Sequence, residues 1–214
     1  MKDEKVEQAE TLARKYVKDG WGSRASVFHA IYDLFETDIS PEMCTRICSI
    51  LDPFHGVASA IYEDGKGFGI TACGALSGAL AAFSMVHGWR ELPYKFWAEG
   101  MKPGNWLAEA MDDPAISPEE KVRLYYERCK LLGYGGYYQI VLRFKEHFGT
   151  TDCFGLEKPF GDPVSRVCFK NCGKVITWTA GMVAQVILEY EENPDSLEIG
   201  DGNVHSSVIQ STTK

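Results

Sequence analysis

The chain has 214 residues, 45% of them hydrophobic and 24% charged, a composition typical of a globular domain large enough to bury a core. Its 22 basic and 30 acidic residues give a net charge of −8 without a basic cluster, which argues against nucleic acid as a partner. No stretch approaches the roughly 20 uninterrupted apolar residues of a membrane-spanning helix, which excludes an integral membrane protein. The charged amino terminus is not followed by the apolar segment of a signal peptide, so we expect a cytoplasmic protein.

The first quarter of the chain predicts three helices. Apolar residues recur at i, i+3 and i+4 over 3–19, the spacing of an amphipathic helix, before Gly-Trp-Gly at 20–22 interrupts it. Ser23 or Ser26 can cap a second helix. Residues 40–51 open with Ser-Pro-Glu, the N-cap serine, first-position proline and first-turn acid that predict a third helix.

The middle of the chain predicts two helices separated by an insertion. A glycine-rich loop over 63–69 leads into an apolar helix over 70–87, which the next glycine ends. Small residues recur on this helix at i, i+3, i+4 and i+7, which lets a neighbouring backbone, of this chain or of a second copy, come close. Residues 89–116 hold three prolines and three of the five tryptophans, and we interpret them as an irregular insertion. A Ser-Pro-Glu-Glu capping box then predicts a helix over 117–132.

Two more helices complete the prediction. One follows the glycine-rich segment 133–136 and ends at Phe148, and the other spans 165–190. Residues 195–214 are polar, as in a frayed tail or an arm ordered by a partner. Because no run of strands alternates with these helices, we predict an all-α fold in which residues 1–194 form one domain, a bundle of about six or seven helices.

The most unusual feature of the composition is its seven cysteines, which are Cys44, Cys48, Cys73, Cys129, Cys153, Cys168 and Cys172. An odd number in a chain of this size does not resemble a secreted disulfide scaffold. In a reducing compartment such a set favours metal ligation or redox chemistry, although some cysteines serve as small core residues.

Four of these cysteines are placed to converge from separate rigid elements. Cys73 lies in the first turn of the predicted 70–87 helix, where unpaired N–H groups favour a thiolate, although it can equally be a small packing residue. Cys153 lies in a turn rich in capping residues, and Cys168 and Cys172 share one helical face. Four sulfurs from three elements can hold an iron–sulfur cluster or zinc, or two of them can alternate between dithiol and disulfide.

The remaining candidate ligands point less clearly to chemistry. Cys44 and Cys48 are also spaced i, i+4 and can bind a metal, but their apolar neighbours favour core positions. Cys129 is interpreted as a spacer on a buried helix face. The five histidines are scattered without H-x-x-x-H or H-E-x-x-H, so no histidine metal site is predicted, and His87 is interpreted as a cation at a helix end.

Four segments carry a family resemblance, and they are Gly20 to Val27, Cys73 to Gly88 with its Cys-Gly-Ala-Leu-Ser-Gly start, Phe148 to Leu156, and Cys172 to Ile176. In this order they resemble the elements of the redox-active proteins called the C_GCAxxG_C_C family. Ser23 stands where the first element would have a cysteine, and Cys168 is the residue that would substitute for it. The resemblance covers 6–88 and 120–190.

The resemblance implies a helical redox protein that acts through these cysteines. The split-Soret cytochromes, a haem-bearing branch with the same helical core, are dimeric, which implies a homodimer here. Because the chain has no Cys-x-x-Cys-His, c-type haem is not expected.

Three functional hypotheses follow. The leading one is electron transfer through an iron–sulfur cluster held by Cys73, Cys153, Cys168 and Cys172. The net charge of −8 predicts that the docking face of its redox partner protein is basic. The enzymatic alternative is a thiol–disulfide oxidoreductase in which Cys73 attacks and Cys153 or Cys172 resolves. The non-enzymatic alternative is a structural zinc site in an interaction module.

Overall fold

A computed structural model describes residues 2–51, 60–61, 68–69, 72–88, 112–121, 123, 134–161 and 165–197. These residues are helical apart from turns and one short antiparallel pairing, in which β1 (Ala60–Ile61) lies beside β2 (Phe68–Gly69). The predicted all-α fold class is therefore confirmed. No helix in this part of the chain combines the length and the apolar content needed to cross a bilayer.

The main helices are α1 (Lys2–Lys18), α2 (Ser23–Tyr32), α3 (Pro41–Leu51), α4 (Gly74–His87), α5 (Tyr134–Phe148), α6 (Cys153–Glu157) and α7 (Arg166–Glu192). Two short 3₁₀ turns, Lys158–Phe160 and Pro194–Ser196, follow α6 and α7. Helix α7 is central, since it packs against α1, α2, α4 and α5. The predicted insertion lies outside the described residues over 89–111, as does the predicted tail beyond Leu197.

Serine caps hold three helix starts, and the sequence predicts the two at Ser40 and Ser117. The Ser40 hydroxyl accepts a hydrogen bond of 3.2 Å from the Met43 N–H at the start of α3. Ser117 accepts one of 3.2 Å from the Glu120 N–H, where a helical segment opens at Pro118. Ser165 accepts one of 3.2 Å from the Cys168 N–H at the start of α7. Local sequence is enough to place these three ends because each cap uses only residues within one turn.

The predicted cap of α2 is wrong. Its N-cap residue is Gly22, which makes no side-chain cap, and both candidate serines lie within the helix. Ser26 instead donates a 3.2 Å hydrogen bond to the carbonyl of Trp21. Ser23 is 4% exposed and packs against α4, so tertiary packing rather than capping determines its position.

Two predicted helix starts are also wrong. Helix α4 begins at Gly74 rather than at residue 70, and Cys73 is its N-cap with an extended backbone (φ −61°, ψ 133°). Helix α5 begins at Tyr134 and so includes two glycines of the predicted spacer. At Gly136 a Cβ atom would lie 2.0 Å from the Phe83 ring, so the glycine is needed for helix packing and not for a chain break.

The small-residue stripe of α4 is used within the chain. Helix α4 crosses the first turn of α2, and a Cβ atom at Gly78 would lie 2.5 Å from the carbonyl oxygen of Arg24. One turn earlier, a Cβ atom at Gly74 would lie 2.2 Å from Ser23 Oγ. The stripe therefore brings the start of α2 against the start of α4, beside Cys73.

Candidate functional site

Helix α6 begins at Cys153 because the preceding residue caps it. Asp152 accepts a 2.5 Å hydrogen bond from the Gly155 N–H, and the Thr150 hydroxyl donates to the same carboxylate. These bonds lower the pKa of Asp152, the Thr150 bond contributing most, so the cap is ionised at neutral pH. The prediction that this turn is capped is confirmed, and Asp152 is the capping residue.

One tertiary hydrogen bond joins this turn to α4. The backbone N–H of Cys73 donates to the carbonyl oxygen of Thr151 at 2.8 Å. Cys153 lies two residues after Thr151, and its thiol donates a 3.2 Å hydrogen bond to Glu157 Oε1. The start of α4 and the start of α6 are thus held side by side, each with a cysteine.

The third cysteine comes from α7. Cys172 is half-buried, and its pKa is raised to about 12 by burial first and then by the charges of Cys73, Glu157 and Cys168. Burial, the hydrogen bond and charge of Glu157, and the charges of Cys73 and Cys172 likewise raise the pKa of Cys153. We call Cys73, Cys153, Cys172 and Glu157 the thiol cluster. Its members come from distant parts of the chain and share one electrostatic environment.

The expectation of a low-pKa Cys73 is wrong. Its side chain is 4% exposed, and burial raises its pKa. The backbone N–H groups of Leu76 and Ala75 act in the opposite direction, as expected at a helix start, but burial has the larger effect. All three cysteines of the thiol cluster are therefore protonated at neutral pH when no metal is bound.

The spacing of these sulfurs bears on what they can hold. No three ligand atoms among Cys73, Cys153, Cys168, Cys172 and Glu157 lie within 4.8 Å of one another. Since a Zn–S bond is about 2.3 Å long, two sulfurs on one zinc ion are at most about 4.6 Å apart. As they stand, these atoms do not form a three-ligand group of that size, and a cluster of several irons would span a wider gap than one ion. The assignment of Cys73, Cys153, Cys168 and Cys172 as ligands stays a prediction.

A second group of ligand atoms lies at the other end of α2. In the described residues His29, Cys44 and Cys48 form a group whose ligand atoms all lie within 4.8 Å of one another and can hold a metal ion. Cys44 Sγ is 3.8 Å from His29 Nδ1 and 4.0 Å from His29 Nε2. We call these three residues the metal triad.

Sequence reasoning identified only part of the metal triad. The prediction that Cys44 and Cys48 are core residues is confirmed, because both are 0% exposed. The sequence predicted no histidine metal site because it showed no metal-ligand spacing between histidines, whereas the structure places His29 beside two cysteines in a group that could hold a metal ion. The available signal was the Cys-x-x-x-Cys pair itself, which puts two sulfurs on one face of α3. Its third member lies on α2, and only the packing of α2 against α3 brings it near.

Aromatic rings enclose the His29 imidazole. The rings of Trp21, Tyr16 and Tyr32 have centroids 4.7, 5.0 and 6.1 Å from it. Burial lowers the pKa of His29, although the charge of Asp33 opposes the shift. Burial raises the pKa of Cys44. His29 is therefore neutral at neutral pH, the form in which a ring nitrogen can bind a metal.

The other predicted residues lie elsewhere. His87 is the last residue of α4, with its ring near those of Phe83 and Tyr190 and its Nε2 4.0 Å from Glu191. Cys129 lies outside the described residues, as do the three tryptophans of the predicted insertion.

Comparison of the chain with protein-family models, with curated proteins and with solved structures finds no match. Function is therefore inferred from the thiol cluster and the metal triad themselves.

Proposed function

We propose that this chain is a redox protein whose electron-carrying group is built on the thiol cluster, with Cys168 as an additional sulfur. The observation that carries the proposal is the 2.8 Å hydrogen bond from Cys73 to Thr151, which brings cysteines of α4 and α6 together beside Cys172 of α7. The resemblance to the C_GCAxxG_C_C family points to Cys73, Cys153 and Cys172 from the sequence alone. The proposal includes a cytoplasmic location, a homodimer and a redox partner protein whose docking face is basic.

The leading form of this proposal is an iron–sulfur protein. Burial is the main reason that Cys73, Cys153 and Cys172 disfavour ionisation, and the negative charge of Glu157 acts in the same direction on all three. Iron would reverse this effect, since cationic metal stabilises neighbouring thiolates. When bound, such a cluster supplies one-electron transfer, and burial together with hydrogen bonds to the sulfurs sets its potential.

The second form, a thiol–disulfide oxidoreductase, is favoured by the Cys153–Glu157 contact of 3.2 Å. Glu157 is placed to accept the Cys153 proton, so in this form Cys153, and not Cys73 as the sequence predicted, attacks a disulfide of a partner protein. The first partner thiol leaves, a second thiol of the cluster attacks the mixed disulfide, and the second partner thiol leaves. Two electrons pass to the partner, two protons pass to its thiols, and the chain keeps one disulfide.

Anaerobic purification followed by metal and thiol analysis tests the proposal. An iron–sulfur protein shows broad visible absorbance with stoichiometric iron and sulfide, and Cys153→Ser and Cys172→Ser remove both. An oxidoreductase is colourless and loses two thiols on mild oxidation, and the same substitutions prevent the loss. Cys129→Ser is the matched control, because it removes a cysteine that the proposal does not use. A colourless wild type that loses no thiols in pairs would overturn the proposal.

A further inference from the structure

The metal triad has nearly the dimensions of a zinc site. With Zn–S bonds of about 2.3 Å and Zn–N bonds of about 2.0–2.1 Å, tetrahedral geometry places sulfur and nitrogen about 3.6 Å apart. The 3.8 Å between Cys44 Sγ and His29 Nδ1 differs from this by a few tenths of an ångström. Cys44 and Cys48 are one helical turn apart, so both sulfurs face α2 from the same side of α3. Cys44 Sγ is nearly as close to His29 Nε2, at 4.0 Å, so the sulfur lies beside the imidazole and the ring must turn for one nitrogen to face an ion shared with the sulfurs.

The surroundings suit a bound cation. Three aromatic rings pack around the half-buried His29 imidazole. The Tyr16 hydroxyl donates to the Asp33 carboxylate, whose negative charge acts on both His29 and Cys44. A negative charge this close to the ligands favours a bound cation.

We propose that His29, Cys44 and Cys48 bind one Zn²⁺ ion and that this ion joins α3 to α2. Two sulfurs and one imidazole nitrogen are ligands that zinc prefers, whereas Mg²⁺ and Ca²⁺ take oxygen ligands. Zinc usually binds four ligands, so a water or an incoming ligand completes the shell. This site is separate from the thiol cluster and does not depend on the proposed redox function.

The ion would strengthen a limited helix contact. Helix α3 packs on α2 through a narrow face, while Met43 and Ile50 on its other side are 50% and 63% exposed. Besides that packing, the Arg24 side chain donates a 3.1 Å hydrogen bond to the carbonyl of Leu51 at the end of α3. Binding of a metal to the folded state alone raises apparent stability. Zinc is therefore expected to raise the melting temperature of the full chain.

Cobalt and zinc titrations of the reduced full-length protein test the proposal. We expect one Co²⁺ to bind with the intense near-ultraviolet absorption of thiolate-to-cobalt charge transfer and with visible bands of a tetrahedral ion. One equivalent of Zn²⁺ should displace it. The double variant C44S/C48S should lose this absorption, and His29→Gln should weaken Zn²⁺ binding by at least about 100-fold in competition with a chromophoric chelator.

Two matched controls separate this site from the thiol cluster. The double variant C153S/C172S removes two half-buried cysteines of the thiol cluster. The variant His147→Gln removes a histidine that stacks on Trp178 at 4.0 Å. Both variants should keep the cobalt spectrum. If C44S/C48S does not fold by circular dichroism, the wild-type spectrum and His29→Gln decide. The proposal is overturned if the wild type binds no cobalt through thiolate, or if His29→Gln binds as tightly as His147→Gln. Loss of the spectrum in C153S/C172S alone would overturn it and show that cobalt binds at the thiol cluster instead.

Discussion

Gly78 of α4 lies directly against the backbone of Arg24 in α2. A Cβ atom added at Gly78 would lie 2.5 Å from the Arg24 carbonyl oxygen, 2.9 Å from its Cα and 3.1 Å from its carbonyl carbon. Backbone atoms cannot rotate away as a side chain can. This contact fixes the start of α2 beside the start of α4, and therefore Ser23 beside Gly74 and Cys73.

Gly78→Ala is expected to lower the free energy of unfolding by about 2–3 kcal/mol, because the added methyl group overpacks a backbone contact. Urea unfolding followed by circular dichroism measures the change. Gly173→Ala is the matched control: it is also a helical glycine, but its added Cβ would meet nothing within 4 Å. There alanine should be neutral or stabilising by up to about 1 kcal/mol, as helix propensity dictates. Equal effects of the two substitutions would contradict the close contact.

Glu157→Gln is expected to lower the pKa of Cys153 and of Cys172. The Glu157 carboxylate raises both pKa values and, at Cys153, also accepts a hydrogen bond from the thiol. Both values should stay above the ordinary range, because burial has the largest effect and is unchanged. Alkylation of the metal-free, reduced protein measured against pH should therefore become several-fold faster near pH 9. The control is Glu146→Gln, on the exposed side of α5, which should leave the alkylation rate unchanged. An unchanged rate in Glu157→Gln would contradict an effect of the Glu157 carboxylate on these thiols.

The reduced, metal-free protein is expected to lose stability in alkali. Burial and neighbouring charges raise the pKa of Cys172 from 9.0 to about 12 in the folded state. A thiol that holds its proton more tightly when folded contributes stability below the unfolded pKa, and this contribution is lost as the pH rises through the folded value. The loss for this group is about 1.4 kcal/mol per pH unit between pH 9 and 12. The difference between the wild-type and Cys172→Ser unfolding curves isolates it from other titrations, and parallel curves would contradict it.

Arg143→Met is expected to destabilise the contact between α5 and α7. The Arg143 guanidinium donates to Glu189 at 2.6 Å, with side chains 27% and 19% exposed. Burial acts to raise the pKa of Glu189, but the hydrogen bond and charge of Arg143 lower it overall. Removing the arginine should cost about 1–3 kcal/mol at pH 7, because a half-buried carboxylate loses a charged partner.

The same variant has a pH signature. The stability that a lowered carboxyl pKa contributes is present above the unfolded value and is lost as the pH falls through the folded value. The cost of Arg143→Met should therefore shrink towards acid pH, as urea titrations at several pH values would reveal. Arg46→Met is the control, since its ion pair with Glu42 is 70% and 78% exposed and should contribute less than about 1 kcal/mol. A cost independent of pH would indicate lost packing rather than a lost ion pair.

The fold class and most helix bounds could be predicted because they depend on local signals. The caps at Ser40, Ser117 and Ser165 each use a residue three positions away. The start of α4 could not be placed, because the Cys73 N–H is bonded to Thr151, 78 positions along the chain from it. The glycines near residue 136 predicted a spacer for a similar reason. A glycine is needed at 136 because the Phe83 ring of α4 leaves no room for a Cβ atom.

The candidate sites divide in the same way. Convergence of Cys73, Cys153 and Cys172 was expected because each lies at or near a helix end whose position the sequence indicates. Their raised pKa values were not, because burial depends on the packed structure and outweighs the effect of a helix start. The proximity of His29 to Cys44 and Cys48 could not be predicted because a histidine on α2 and a cysteine pair on α3 have no fixed spacing along the chain.

The different depths of the cysteines give the two sites different chemical accessibility. Cys44 and Cys48 have no exposed surface, while Cys153 and Cys172 are each half-buried. A bulky electrophile added to the native protein should label the latter pair first and reach the former only when α3 detaches. Because Cys73 and Cys168 are also buried and label slowly, the part of the slow phase that C44S/C48S removes measures how often the α2–α3 contact opens.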